Sequence, residues 1–314
     1  MKQLWSCSTT MRNPERAYQF LSTIAEMEGR DWTNNAQEEL QSRLIKNRFY
    51  IPTKIDILPE TLQKVFCDLN HALTLEEAKS IFYAQQYKDA PIRGRTSFDP
   101  IEKMGLVALI ENKITITDMG RRFLDGEIEI GDVMLAYLLK FQYPNPLMKG
   151  FSDYNTKPFI NALRLIKYVN QKCRERGIRE KGISKLEFGI FALSITNYEE
   201  VENIAEQLLC FRTETDKLND SEKGIYIKDF INEYLRDFKN PQENIHEYTD
   251  NIIRCLRLTK YIYIRGGGYY IDLEPRRMLE INAILSDLSG QADYYSVESY
   301  YAYIGDYYGF PVDM

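Results

Sequence analysis

Residues 103–124 read KMGLVALIENKITITDMGRRFL, and residues 258–279 read LTKYIYIRGGGYYIDLEPRRML. The two align without a gap at an offset of 155 positions. Each copy has an apolar run, a break of small, polar or Gly residues, a second apolar–polar run, and a helix start that closes on Arg-Arg. Two such runs across a short break predict a β-hairpin. Gly266-Gly267-Gly268 supplies the φ > 0 that a tight turn needs, and Glu111-Asn112 takes that place in the first copy. A helix, a hairpin and basic residues at its edges are what a winged helix looks like in sequence. The fold class expected is mainly α with small β-hairpins, arranged as tandem winged-helix (helix-turn-helix plus wing) DNA-binding subdomains. The gapless offset equates Arg121-Arg122 with Arg276-Arg277.

Working outward, Asn13-Pro14-Glu15 is a helix start, with Asn as N-cap and Pro in the first turn. Ala17, Phe20, Leu21, Ile24 and Met27 follow at helical spacing and stop at Gly29. Further helices are expected at 36–45, 59–69 and 74–86, where Thr74 and Glu77 form a capping box. Residues 97–104 are the expected helix before the first hairpin, and Asp118 the cap of the helix after it. In the second half, helices are expected at 158–172, from Ser184, at 198–212 with Asn197 as cap, at 225–237 and at 245–258. Polar residues 213–224 read as an exposed loop, and residues 293–310, with seven tyrosines and no Lys or Arg, as a packed or linker segment. The expected domains are 1–146 as a first recognition subdomain (winged helix at about 74–124), 147–290 as a second (closing at about 245–285), and 291–314 as the start of a linker.

Composition narrows the function classes. A 44% hydrophobic content supports real cores, and the net charge of −6 argues against non-specific coating of nucleic acid. Basic residues nevertheless cluster: residues 157–185 hold nine Lys/Arg against two Glu, and residues 252–277 hold six against two acids. The cysteines (7, 67, 173, 210, 255) are odd in number and widely spaced, and there are two histidines, so a zinc site or disulfide framework is not expected. Neither a signal peptide nor a membrane span is legible, which suits a cytoplasmic protein with no membrane partner.

Catalytic patterns fare poorly. A PD-(D/E)xK nuclease site needs an Asp on one strand and (D/E)xK on the next, to hold Mg²⁺ and orient water. Asp99 with Glu111-Asn112-Lys113 has that spacing, but Asp99 sits before or within a helix rather than on a strand, and Glu111-Asn112 is the hairpin turn. The Gly triplet lacks the GxxxxGK[ST] pattern of a phosphate loop. No catalytic residue and no cofactor is assigned to this chain.

Duplex recognition has more support. A helix entering the major groove carries small and polar residues near its N-terminus, flanked by Arg or Lys. Arg93-Gly94-Arg95-Thr96-Ser97 stands at such a helix start, with Lys103 at its end and Lys113 on the wing. The second copy offers Arg254, Arg257, Lys260 and Arg265, joined by Lys185, by Asn197 at a helix start, and by Arg12 near the N-terminus.

Several stretches carry a family resemblance: WSCSTTMRNPERAYQFL, RGRTSFDPIEKMGLV with ITITDMGRRFL, LLKFQYPNP with KPFINALRLI, GISKLEFGIFALSITNYEEVENIAEQLLCFR, and IIRCLRLTKYIYIRGGGYYIDLEP. In these the sequence resembles the AlwI-like type IIS restriction and nicking endonucleases, including the BstNBI group. The resemblance implies double-stranded DNA with an asymmetric recognition site as the partner. It also implies cleavage outside that site by a separate C-terminal PD-(D/E)xK domain using Mg²⁺. The chain stops at Met314, about where the linker to that domain would begin, so the expectation is a recognition portion working with a nuclease domain or subunit. The alternatives are a winged-helix transcription regulator or protein-interaction module without nuclease connection, and a chain that itself cuts DNA.

Overall fold

The computed structural model describes residues 1–7, 13–267 and 269–307. Their contacts divide into two units: residues 13–130 with 305–307, and residues 1–7 with 131–304. The division therefore falls at 130/131, and the N-terminal segment belongs to the second unit rather than to the domain at 13–130.

In the first unit Asn13 caps a short 3-10 turn (Pro14–Arg16) that runs into α1 (Ala17–Ala25). Then follow α2 (Asn34–Lys46), α3 (Glu60–Cys67), α4 (Leu75–Ala84) and α5 (Pro91–Lys103). The expected capping box closes α4: Thr74 Oγ1 accepts from Glu77 N–H, and the Glu77 carboxylate accepts from Thr74 N–H. Strands β1 (Val107–Ile110) and β2 (Lys113–Ile116) pair antiparallel in register Val107↔Ile116 and Ile110↔Lys113, before α6 (Asp118–Leu124). Glu111 and Asn112 both take positive φ (48° and 63°), as a two-residue hairpin turn demands. The cap of α6 is Thr117, whose hydroxyl accepts from Gly120 N–H; Asp118 is the first helical residue. Ile45, Leu58, Phe66, Leu73, Ile81 and Phe82 form a buried cluster beneath α2, α3 and α4.

The second unit contains α7 (Ile130–Lys140), α8 (Pro158–Glu175), a short strand β3 (Ile183–Ser184) and one helical turn α9 (Lys185–Glu187) that continues as a π-helical turn (Phe188–Ala192). It goes on through α10 (Val201–Asp216), α11 (Asp220–Tyr234), α12 (Pro241–Leu258), β4 (Ile262–Arg265), β5 (Tyr270–Leu273), α13 (Met278–Asp287) and α14 (Val297–Gly305). The strands form one antiparallel sheet in the order β3-β5-β4. Residues 213–224, expected as a loop, are mostly helical. α10 extends to Asp216, and Asn219 with Glu222 forms a capping box that starts α11 only three residues later. Polarity marked these turns as exposed; local hydrogen bonding made them helix.

One buried ion pair ties the second unit together. Glu187 accepts from Ser184 N–H in a capping box and also from the Arg212 guanidinium (2.8 Å), while Arg212 donates to Gly182 O (2.8 Å). Both side chains are under a tenth exposed. Trp5, fully buried, donates its indole N–H to Ala192 O (2.8 Å), anchoring the N-terminal segment beside Phe188. Tyr300 packs here too: it is buried and its hydroxyl accepts from Asn145 Nδ2 (2.8 Å).

The hairpins make the repeat a structural equivalence, with one correction. α5 and α12 end at Lys103 and Leu258, and β1 and β4 start at Val107 and Ile262, all at offset 155. Past the turn the offset is 157: β2 spans Lys113–Ile116 and β5 spans Tyr270–Leu273. The second turn is two residues longer, so Lys113 corresponds to Tyr270, and Arg121-Arg122 do not correspond to Arg276-Arg277. Glu274 takes the place of Thr117 as N-cap.

Two outcomes follow for the first unit. A Cβ at Gly94 would lie 1.9 Å from the Gln37 carbonyl oxygen, because α5 crosses α2 in backbone contact there. Gly94→Ala is therefore expected to cost about 1–3 kcal/mol, read as a lower urea midpoint at unchanged slope. On α2, hydrogen bonds from Arg30 (2.6 and 3.0 Å) and Arg43 (2.9 Å) hold the Glu39 carboxyl at about 2. A depressed carboxylate contributes stability above its ordinary range and loses it as pH falls through the folded value. Acid unfolding from pH ~5 towards 2 should accordingly be shallower in Glu39→Gln than in the wild type; identical acid slopes would refute the assignment.

Candidate nucleic-acid interface

The first surface is the N-terminal half of α5. Asp89 accepts from Ile92 N–H (Oδ1, 3.2 Å) and Pro91 sits in the first turn, so this helix starts six residues before the expected 97. Arg93-Gly94-Arg95-Thr96-Ser97 thus lies within the first two turns, and helical winding separates the five residues. Ile92, Arg93 and Thr96 are exposed, while Gly94, Ser97 and Phe98 are buried. The Arg93 guanidinium lies over the Tyr87 ring, 4.4 Å from its centroid. Arg95 donates to Gln37 Oε1 (2.9 Å) and to Asp89 Oδ2 (3.0 Å). Thr96 donates back to Ile92 O (2.7 Å). Ser97 donates to Gln41 Oε1 (2.9 Å) in the interior, which makes it a packing residue rather than a surface contact. Lys103 pairs with Asp99 (2.8 Å) on the same helix. Lys113 is exposed at the hairpin turn, its backbone bridged to Asp31.

The second surface follows α12 into its hairpin. Arg254, Arg257 and Lys260 are exposed. Ahead of these cations the same helix exposes Glu243, Glu247 and Asp250, so its outer face changes sign along its length. Arg265 is not part of an outward face. It pairs with Asp272 (2.6 Å), a carboxylate 5% exposed, and donates to Glu180 O (2.8 Å). Asn170 donates to the other Asp272 oxygen (2.7 Å). Arg265 therefore neutralises a buried acid, and the hairpin's cationic edge rests on Lys260. Asn197 is the expected cap, its amide oxygen accepting from Glu199 N–H (3.1 Å), which commits that oxygen to the turn at 198–200. Arg12 lies outside the described residues.

The basic surplus of residues 157–185 largely meets acids and carbonyls from other elements. Lys157 pairs with Asp293 (3.0 Å), Lys172 with Glu206 (2.8 Å), Arg174 with Glu180 (2.9 Å) and Lys185 with Asp250 (3.5 Å). Arg176 pairs with Glu206, and Arg164 donates to Leu288 O (2.7 Å). Three of the four arginines in the Arg-Arg pairs also meet acids: Arg121 binds Glu28, Arg122 binds Asp118 on its own helix and Glu127, and Arg277 binds Glu280. Local charge counted along the chain overstates the field these residues present.

Asp99 on α5 is paired with Lys103, and Glu111 occupies the hairpin turn. Among the described residues no three His, Cys, Asp or Glu side chains gather where they could hold a metal ion. These residues do not fit a Mg²⁺ site. Among the described residues, too, no helix is long and apolar enough to cross a membrane.

Sequence reading missed Asp89 and Gln37, the two partners of Arg95. Asp89-Ala90-Pro91 was the available signal, since an acidic acceptor just ahead of Pro is a helix start. Gln37 carried none, because its role exists only through the α2–α5 crossing.

What these features define is a mainly helical protein with two helix–hairpin modules, one per unit, each bearing exposed cations. The chain belongs to the AlwI restriction endonuclease family, which matches residues 102–304, about two thirds of its length. Among solved structures it is similar to the BpuJ1 endonuclease binding domain, seen in complex with pyrene- and phenanthrene-modified DNA. That likeness covers 91% of this chain and 90% of the other at a TM-score of 0.54; with 12% identity it is a likeness of fold. No curated protein matches the chain by sequence.

Lys260 gives this surface a test. Its φ is +59°, a left-handed conformation that costs a side-chain-bearing residue about 1 kcal/mol, and its counterpart in the first module is Gly105 (φ 76°). Lys260→Gly should raise the thermal midpoint while weakening binding to any duplex and lowering the salt slope by about 1. A variant with raised stability and unchanged duplex affinity would remove Lys260 from the interface.

Proposed function

We propose that this chain recognises a specific sequence in double-stranded DNA as the recognition portion of a type IIS-like restriction or nicking endonuclease. The cutting is assigned to a PD-(D/E)xK domain or subunit that uses Mg²⁺. Family membership supports the reading, and the observation that carries it is α5, which presents Arg93, Arg95 and Thr96 on its outer first turns with a hairpin directly after it.

In this reading each helix–hairpin module is a winged helix, with β1–β2 and β4–β5 as the wings. The N-terminal half of α5 enters the major groove, where side chains meet base edges. Lys113, Arg254, Arg257 and Lys260 take phosphates, which fix register and supply most of the salt dependence. The acidic first half of α12 opposes close approach to phosphates, so the second module grips chiefly through its cationic C-terminal end. Two modules with unlike surfaces suit an asymmetric site better than a palindrome, whose halves call for equivalent surfaces.

Selection of bound duplexes from a random library at one stated salt concentration tests this. The expected result is enrichment of a single non-palindromic sequence. Binding without any enriched sequence would leave only non-specific affinity and refute the proposal. A parallel incubation with plasmid and Mg²⁺ asks whether the chain cuts by itself; cleavage abolished by Glu111→Ala would overturn the reading of Glu111 as a turn residue.

A further inference from the structure

Arg95 differs from the other basic residues of α5 in how it is held. Arg93 rests on an aromatic ring and Lys103 pairs within its own helix. Arg95 is gripped from two separate places: Gln37 on α2 takes Nη1, and Asp89 ahead of α5 takes Nη2. Gln37 is 6% exposed, so its acceptor oxygen is fixed by packing. The Arg95 side chain is still 42% exposed. A guanidinium has five N–H donors, and these partners commit two of them. Surface ion pairs of this kind contribute little stability. What the arrangement does supply is a planar fork fixed before any ligand arrives, which lowers the ordering cost of binding.

Guanine presents two acceptors, O6 and N7, side by side in the major groove, and a bidentate Arg matches them. Asp89 reinforces that choice. Its carboxylate repels a phosphate at the same spot, and its acceptors suit the cytosine amino group that lies beside guanine O6. Resting on the DNA-recognition reading above, we propose that Arg95 reads one guanine of the site and that Asp89 and Gln37 are positioning residues for that specificity.

The test uses the full chain and the selected duplex, with 7-deazaguanine replacing each guanine in turn to remove its N7 acceptor. One position should cost the wild type about 10-fold or more in affinity. Arg95→Ala should lose about as much on the natural duplex and show no further loss at that position. Gln37→Leu should weaken discrimination at the same base pair several-fold, and Gln37→Glu, which keeps an acceptor there, should restore it. Asp89→Asn should reduce discrimination there while helix content by circular dichroism stays unchanged. If Arg95→Ala weakens selected and scrambled duplexes equally and lowers the salt slope, Arg95 is a phosphate contact and the inference fails. If Asp89→Asn tightens every duplex alike without touching discrimination, Asp89 is only a surface charge, and its assignment fails. Absence of any preferred sequence in the selection would instead refute the recognition reading itself, so the two failures are distinguishable.

Discussion

Both modules depend on one reversal of the chain between helix and hairpin. Two residues past the ends of α5 and α12 stands a residue in left-handed conformation, Gly105 (φ 76°) and Lys260 (φ 59°). Directly after it, Leu106 O accepts from Thr117 N–H (3.3 Å), and Tyr261 O accepts from Glu274 N–H (3.0 Å). Those bonds close the base of each hairpin and set where the next helix begins. A residue with positive φ at this place ends the helix and turns the chain towards the first strand. With the reversal fixed, the face that each helix exposes and the direction of its hairpin follow.

Charge tells a second story. Runs of Lys and Arg along the chain suggest broad cationic faces, yet most of those near residues 157–185 are met by Asp, Glu or backbone carbonyls. A paired guanidinium presents a weak field to solvent. On the two helix–hairpin modules the exposed cations lie on the outer face of α5, at the tip of the first hairpin and at the end of α12. That placement suits recognition through a few oriented groups, and the net charge of −6 argues against bulk attraction.

Local signals were legible where hydrogen bonds close over three or four residues. The capping boxes at Thr74, the start at Asn13, the cap at Asn197 and both hairpins were visible because each is written in neighbouring side chains. Legibility failed where a rival local arrangement used the same polar residues. The helical stretch at 213–224 read as loop because Asn and Asp serve loops and N-caps equally. The Arg-Arg match between the two copies was an accident of offset, since the second turn is two residues longer.

By itself the sequence determined that the chain is mainly helical, that each half holds a helix followed by a hairpin, and that the best nuclease-like spacing falls on a turn. These are consequences of periodicity and turn chemistry, which act over a few residues. The tertiary structure alone decided which cations face outward. Arg265 turned inward to neutralise Asp272, and Ser97 turned inward to Gln41. Arg95 stayed out, held by Gln37 from a helix almost sixty residues earlier. The physical reason is that a charged side chain takes the conformation its partners allow, and those partners come together only when distant helices cross.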